Sequence, residues 1–205
     1  MKFKEKILEG FFLKRYKRFF VDVIIDGNVI TTYCPNTGSL KGMLNEKARV
    51  LVAKVDNPKA KLKYRLEAIK HKGVYVGINT SLPNGIIYEA IKEKKILNHL
   101  QGEIKTEVKY GKNSRVDIFI DNPKGKNCFI EVKSVTLSRL KGLSEFPDAK
   151  TTRGSKHLIE LAEMSKQGNE CYLVYLIQRK DVEMFSIAKD IDEEYYKNSI
   201  IAKNN

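Results

Sequence analysis

The chain changes character at Pro83-Asn84-Gly85, where short β-type segments give way to alternating helical and strand-like segments. Before this point, alternation and β-branched residues predict five strands with little helix between them. These strands span residues 19–25, 29–33, 49–55, 61–68 and 74–78. Five short strands in so short a stretch are typical of a small barrel such as an OB-fold. We therefore predict an OB-like β-barrel over residues 1–85.

A different order of segments follows the change. Helical spacing predicts helices over residues 86–96 and 155–166, and an irregular stretch at 137–152 lies just before the second helix. Apolar or alternating runs predict strands over residues 104–110, 116–120, 128–132 and 171–178. The order helix, three strands, helix, strand predicts a second domain of the α/β (α+β) class over residues 86–205.

The charge of the chain is strongly basic and unevenly distributed. The formal net charge is +13, and residues 1–85 hold 17 of the 38 Lys and Arg but only 7 of the 25 Asp and Glu. A basic excess of this kind is expected of a domain that binds a polyanion such as nucleic acid. Lysine outnumbers arginine 30 to 8, however, so an AT-rich genome is an alternative source of the bias.

Cysteine usage and hydropathy indicate the compartment. The three cysteines, Cys34, Cys128 and Cys171, are widely spaced and odd in number, which is neither a disulfide framework nor a zinc pattern. The first ten residues are too charged for a signal peptide, and no apolar run approaches the roughly 20 residues that span a bilayer. We predict a cytoplasmic protein without membrane association.

Three charged residues lie within apolar strand segments. Asp117 interrupts residues 116–120, and Glu131 and Lys133 share one face of the next predicted strand. Buried charges are costly unless they are paired or bind a metal. Two carboxylates and a lysine on one sheet face suit Mg²⁺, or Mn²⁺, which would polarise a phosphate and activate water while the lysine stabilises developing charge. The alternative is an ordinary Glu–Lys pair on a half-exposed edge.

A fourth carboxylate joins this prediction. Glu89 lies in the predicted helix just before the sheet and could hold the metal directly or through water. The predicted catalytic set is therefore Asp117, Glu131, Lys133 and Glu89, and the predicted metal ligands are its three carboxylates.

Several longer motifs lie between the N-terminus and the second predicted helix. They are Arg15-Tyr16-Lys17-Arg18-Phe19, Cys34-Pro35-Asn36-Thr37-Gly38-Ser39, Glu107-Val108-Lys109-Tyr110-Gly111, Ser114-Arg115-Val116-Asp117, Glu131-Val132-Lys133-Ser134, and the stretch Phe146 to Leu158. With these motifs the chain resembles the sugar fermentation stimulation protein A (SfsA) family, and its second half resembles the PD-(D/E)xK nuclease superfamily.

The resemblance implies an OB-like N-terminal domain and a three-layer, nuclease-like α/β domain with a mixed sheet. It also implies DNA binding and a regulatory link to sugar metabolism. Asp117, Glu131 and Lys133 match the superfamily core, whereas Pro147-Asp148 is not its "PD" pair. The family usually has His before the Cys-Pro-Asn-Thr-Gly motif, and Tyr33 stands there in this chain.

Basic and polar residues in these motifs predict the contacts to nucleic acid. Cations neutralise phosphates, and the interleaved aromatic residues stack on bases. The predicted contacts are Lys14, Arg15, Lys17, Arg18, Asn36, Thr37, Ser39, Lys61, Lys63, Arg115, Arg153, Lys156 and His157. The alternatives are a solvated strand edge for the first cluster, a simple turn at residues 36–39, and a hydrogen-bonded structural role for His157.

Two classes of function follow from the sequence. One is a Mg²⁺-dependent DNA endo- or exonuclease that uses Asp117, Glu131 and Lys133. The other is a non-catalytic DNA-binding regulator of sugar metabolism genes that keeps a nuclease scaffold. RNA as the ligand is a weaker alternative, and the strand state and the oligomeric state, a homodimer included, stay open.

Overall fold

A computed structural model describes residues 3, 5–40, 42–111 and 114–205. Within these ranges the chain forms two compact units, each made of several segments. The first contains residues 1–81, 135–148 and 177–186, and the second contains residues 82–134, 149–176 and 187–205. The division predicted from the sequence, 1–85 and 86–205, assumed two continuous domains. In the structure, the segments after residue 134 belong alternately to the first and the second unit. None of the helices in these ranges is long and apolar enough to cross a membrane.

The first unit contains a closed barrel with the OB strand order. Its strands are β1 (Ile7–Tyr16), β2 (Phe20–Ile25), β3 (Asn28–Tyr33), β4 (Arg49–Lys54), β5 (Tyr64–His71) and β6 (Val74–Gly77). They are ordered β3-β2-β1-β4-β5-β6, and a parallel bridge between Tyr33 and Arg65 joins β3 to β5. The predicted OB-like barrel is confirmed.

Strand β1 was absent from the sequence-based prediction. A bulge between Phe12 and Lys14 shifts its register against β2, so its side chains do not alternate strictly in the sequence. Gly10 is required in this strand, since a Cβ atom there would lie 2.6 Å from the backbone oxygen of Ile24. The inward-facing residues of the other strands, such as Val21, Val50 and Leu66, are fully buried and form the barrel core.

The second unit is a mixed sheet covered by helices, which confirms the predicted α/β architecture. In chain order it contains α1 (Pro83–Lys92), β7 (Glu103–Tyr110), β8 (Ser114–Asp121), β9 (Cys128–Val135), α2 (Thr152–Lys166), β11 (Glu170–Ile177) and α3 (Glu193–Lys203). The sheet order is β11-β9-β8-β7. Ile87 and Ile91 of α1 pack in one apolar cluster, and Leu161 of α2 packs in another.

Helix α1 begins three residues earlier than the sequence prediction. Residues 83–85, which the sequence predicted to be a loop, form the first turn of the helix. Proline is well tolerated there because the backbone N–H groups of the first helical turn have no carbonyl partner within the helix. The helix ends at Lys92, four residues before the predicted end, and Lys94 then adopts a left-handed conformation with φ 56°.

Three further elements were not predicted. Within the stretch 137–152, β10 (Gly142–Phe146) pairs with β12 (Val182–Ile187) in a two-stranded sheet. Four consecutive residues of β12 are exposed, so this strand has no buried face to produce alternation. The apolar residues of α3 do not lie along one stripe, and therefore it has no amphipathic signal.

Asp192 fixes the start of α3 and also contacts the segment before α2. Its buried carboxylate accepts hydrogen bonds from the backbone N–H of Tyr195 at 2.9 Å and of Thr151 at 2.7 Å. Asp192→Ala should therefore lower the free energy of unfolding by about 2–3 kcal/mol, because a cap is lost and a second N–H is left unsatisfied. Urea unfolding measures this loss. Glu194→Ala, an exposed change in the same helical turn, should cost less than about 1 kcal/mol.

Candidate metal site and nucleic-acid-binding surface

Asp117 lies in the middle of β8 at a break in the strand pairing. Pairing with β7 skips from Ile118 to Val116, and pairing with β9 ends at Ile118 and Ile130, so neither register includes Asp117. Its carboxylate instead accepts hydrogen bonds from the backbone N–H of Val132 at 2.7 Å and from Asn84 Nδ2 at 2.8 Å. The side chain thus occupies the gap that the interrupted ladder leaves.

The neighbouring strand is strained at the same level. Glu107, which lies in β7 between the two residues that flank the skipped pair, has φ 54°. A left-handed non-glycine residue costs about 1–2 kcal/mol and persists only where the surrounding structure fixes it. Arg115 contributes by donating to the Glu107 carbonyl at 3.1 Å. Such local strain is typical of functional sites.

Glu131, the next residue of β9 beyond the paired Ile130, is 2% exposed. Its Oε1 accepts a hydrogen bond from Lys133 Nζ at 2.8 Å and contacts Nδ1 of His157. Its Oε2 is buried and has no hydrogen-bond partner among the described residues. A buried carboxylate oxygen without a donor is costly, which makes it suited to a cation.

The two carboxylates have opposite electrostatic environments. Burial and the nearby Glu131 carboxylate raise the pKa of Asp117 above its ordinary value, against the hydrogen bonds from Val132 and Asn84. Burial also acts to raise the pKa of Glu131, but the hydrogen bond from His157 and the charge of Lys133 outweigh it and hold that pKa below its ordinary value. An added divalent cation would relieve the repulsion at Asp117.

The residues present fit a hard cation held partly by water. No group of three or more His, Cys, Asp or Glu side chains with metal-ligand spacing occurs in the described part of the chain. Mg²⁺ commonly binds through one or two carboxylates and keeps several waters, so Asp117 and Glu131 are a sufficient protein contribution. The observation that supports the fit is the buried, unbonded Oε2 of Glu131.

Helix α1 contributes Asn84 to this group. Asn84 is the residue that donates to Asp117, and its amide was missed because residues 83–85 read as a turn. Glu89, the predicted fourth carboxylate, is five residues further along, which is about 140° around the helix from Asn84. The charge of Glu89 also acts on Lys95, just beyond the end of α1. The predicted role of Glu89 as a metal ligand stays a prediction.

Helix α2 places His157 in the interior of the second unit and keeps Arg153, one turn earlier, exposed. His157 is buried against Glu131, and Arg153 Nε donates to His157 Nε2 at 3.3 Å. Lys156 is exposed and lies 3.7 Å from Glu160. His157 therefore has the hydrogen-bonded internal position that the sequence left as an alternative.

In the barrel, the side chains of Arg15 and Asn36 form hydrogen bonds with backbone groups. Arg15 donates from Nε to the carbonyl of Arg18 at 2.8 Å and from its terminal nitrogens to the carbonyls of Gly38 and Asn36. Buried Asn36 accepts from Gly38 N at 2.7 Å and donates to the Ile78 carbonyl at 3.1 Å. These two predicted contacts thus shape the 36–39 loop, and Thr37 and Ser39 are exposed on it.

The turn between β1 and β2 presents cations beside exposed rings. Lys17 and Arg18 both have positive φ, 48° and 62°, and both are exposed. Tyr16 and Phe20 stack with ring centres 5.5 Å apart, and Phe19 and Tyr33 stack at 6.2 Å. We call this the hairpin surface, made of Lys14, Tyr16, Lys17, Arg18, Phe19, Phe20 and Tyr33.

The aromatic rings of the hairpin surface are unusually exposed. Tyr16, Phe19 and Tyr33 are each 38–39% exposed. Asp22 lies at the edge of the surface, but its charge is offset by Lys14 at 3.6 Å and its Oδ1 accepts from Thr31 at 2.8 Å. The hairpin surface therefore combines exposed rings with three cations, Lys14, Lys17 and Arg18, which outnumber this one acid.

The remaining predicted contacts are more dispersed. Strand β5 begins at Tyr64, so Lys61 and Lys63 precede it and the predicted strand start at residue 61 is wrong by three residues. Lys63 Nζ donates to the Pro58 carbonyl at 2.9 Å, and Arg65 pairs with buried Glu67. Arg115 is exposed two residues from Asp117 on the same strand.

The fold defines a class of protein in which an OB barrel precedes a mixed-sheet α/β unit. The family models of the SfsA N-terminal OB domain and the sugar fermentation stimulation protein RE domain match residues 13–78 and 81–205. The chain belongs to the SfsA family of sugar fermentation stimulation proteins.

Relatives and a solved structure match along nearly the whole chain. The sugar fermentation stimulation protein homologue of Pelagibacter ubique is 48% identical, over 99% of this chain and 88% of the relative. The homologue of a Ruegeria species is 43% identical, over 95% and 85%. The structure of Pyrococcus furiosus SfsA in complex with Ca²⁺ matches with a TM-score of 0.83 and 28% identity, and covers 98% of this chain and 88% of that one.

Proposed function

We propose that the protein binds DNA and hydrolyses phosphodiester bonds with Mg²⁺ or Mn²⁺ at Asp117, Glu131 and Lys133. The observation that carries the proposal is the buried Oε2 of Glu131, which has no hydrogen bond in the described structure. The Glu131 carboxylate also raises the pKa of the neighbouring Asp117. The Pyrococcus furiosus relative forms a complex with Ca²⁺, a hard cation that takes oxygen ligands as Mg²⁺ does.

The residues divide the chemistry between them. Asp117 and Glu131 would hold the cation, which when bound polarises a phosphate and lowers the pKa of water. Asn84 and the Val132 N–H orient Asp117. Lys133 Nζ is held 2.8 Å from Glu131 Oε1 and supplies a fixed positive charge for the negative charge that develops on the phosphate during attack.

The hairpin surface supplies a means of binding that is independent of the hydrolytic site. Lys14, Lys17 and Arg18 are exposed cations, and phosphate contacts by such groups release counterions. The rings of Tyr16, Phe19 and Tyr33 can stack on bases whatever their sequence. The basic excess of residues 1–85 supports this role.

Cleavage of end-labelled DNA tests the proposal, with Mg²⁺, Mn²⁺ or EDTA and with binding measured in the same samples. We expect cleavage with either metal, none with EDTA, and none with Glu131→Gln, which keeps the size of the side chain. Matched single-stranded, duplex and RNA substrates of one sequence identify the preferred strand state and sugar.

The second candidate is a DNA-binding protein without turnover. Both oxygens of Asp117 already accept hydrogen bonds from the protein, which favours a structural role for this carboxylate. In that case DNA would bind with a strong salt dependence and stay intact in every metal. Binding that does not weaken between about 50 and 200 mM salt would contradict both candidates, since phosphate contacts require counterion release.

A further inference from the structure

We propose that Arg153 and His157 are positioning residues that act through Glu131, holding its Oε1 so that Oε2 is reserved for a divalent cation. This inference rests on the proposed metal site. It gives the two residues a role other than the phosphate contact that their position at the start of α2 predicted.

The hydrogen bonds form a chain with a defined direction. Arg153 Nε can only donate, so His157 Nε2, 3.3 Å away, must accept and carries no proton. The proton of the neutral ring is then on Nδ1, which contacts Oε1 of Glu131. The order Arg153 to His157 to Glu131 thus assigns the tautomer and makes the histidine a donor to the carboxylate.

Lys133 completes the restraint on the same oxygen. Its Nζ lies 2.8 Å from Glu131 Oε1 and 3.4 Å from His157 Nδ1, so one carboxylate oxygen is shared by two donor side chains. Two bonds from different elements, β9 and α2, fix the rotation of the carboxylate. The other oxygen, Oε2, is left buried and without a donor among the described residues.

The placement of α2 makes this arrangement rigid. Arg153 and His157 are four residues apart and therefore share one helix face. Thr151 caps the helix through the N–H of Gly154 at 3.0 Å, which sets where the first turn begins. Polar groups that orient a metal ligand in this way generally change metal affinity by 10- to 100-fold when they are removed.

The test measures Mn²⁺ binding to the full-length protein by electron paramagnetic resonance, without any substrate. His157→Leu removes the donor to Glu131, and we expect it to weaken Mn²⁺ binding by about 10- to 100-fold. His157→Asn keeps an amide donor near the position of Nδ1 and should bind within about threefold of the wild-type protein. Glu163→Ala, an exposed change on α2, is the control and should bind as the wild type does.

Turnover at saturating Mn²⁺ gives a second readout. A positioning role predicts that His157→Leu recovers most of kcat once the metal site is filled. If kcat instead falls equally in His157→Leu and His157→Asn while Mn²⁺ affinity is unchanged, the histidine takes part in the chemistry itself and the inference is wrong. Unchanged affinity in His157→Leu with unchanged kcat also overturns it.

Arg153→Met covers the case in which the buried leucine variant does not fold. Arg153 is exposed, so its loss should be tolerated, and releasing His157 Nε2 should weaken Mn²⁺ binding by about 3- to 10-fold. Affinity equal to the wild type would overturn the inference. A wild-type protein that binds no Mn²⁺ would refute the proposed metal site and this inference with it, whereas normal binding in the variants refutes the inference alone.

Discussion

Asp117→Asn should lower metal-dependent cleavage by about 10²- to 10³-fold and, in the same protein, raise stability when no metal is present. The loss of activity follows because the amide cannot supply the negative charge that holds a cation against the phosphate. Initial cleavage rates over a Mg²⁺ titration measure this effect, and they separate weaker metal binding from slower chemistry.

The gain in stability follows from the raised pKa of Asp117. Burial and the Glu131 carboxylate favour its protonated form in the folded protein, so its ionisation opposes folding once the pH exceeds the unfolded value. Asparagine removes that charge, still accepts from the Val132 N–H, and can bond a reoriented Asn84 amide. The variant should be about 1 kcal/mol more stable than the wild type in EDTA at neutral pH.

Thermal unfolding with and without Mg²⁺ connects the two effects. The wild-type protein should gain stability from Mg²⁺ by mass action, and Asp117→Asn should gain much less. Asp121→Asn, a change near the end of the same strand where Asp121 pairs with Lys105, is the control and should keep its activity. Glu89→Gln tests the predicted fourth carboxylate, and a loss of cleavage as large as that of Asp117→Asn would support its role as a metal ligand. Full cleavage by Asp117→Asn would place the hydrolytic site elsewhere.

The double variant Phe19→Ala/Tyr33→Ala should weaken binding of single-stranded DNA by about 30-fold or more. Stacking of a base on an aromatic ring contributes about 1–3 kcal/mol, and the two exposed rings form one stacked pair on the hairpin surface. Duplex DNA keeps its bases stacked internally, so its affinity should fall by less than about threefold. Fluorescence anisotropy with a homopyrimidine oligomer and with a matched duplex measures both.

Tyr75→Ala is the matched control for this double variant. Tyr75 is also a barrel tyrosine beside a lysine, with Lys70 Nζ 5.8 Å from its ring centre, but it lies on β6, outside the hairpin surface. Its loss should change affinity by less than about threefold. Equal losses for duplex and single strand would mean that the surface contacts phosphates rather than bases. An unchanged affinity for single-stranded DNA would exclude the hairpin surface as the binding site.

The sequence was sufficient for the architecture and for the three central residues of the candidate site. Alternation in short segments predicts strands because a barrel buries one side of each strand, and the buried Val21, Val23 and Ile25 of β2 follow that pattern. Asp117, Glu131 and Lys133 were recognisable because charges inside apolar strands are costly unless they are used. Strand β1 escaped prediction because its bulge interrupts the alternation.

The sequence by itself therefore determined the barrel, the mixed α/β unit and the identity of the charged residues on β8 and β9. Only the tertiary structure decided their partners. Asn84 joins Asp117 from 33 residues away, and His157 contacts Glu131 from 26 residues away. Local periodicity reports which side of an element is buried, but a hydrogen-bond partner depends on which elements pack together. For that reason the structure, and not the spacing, places Asn84 beside Asp117 and turns His157 inward.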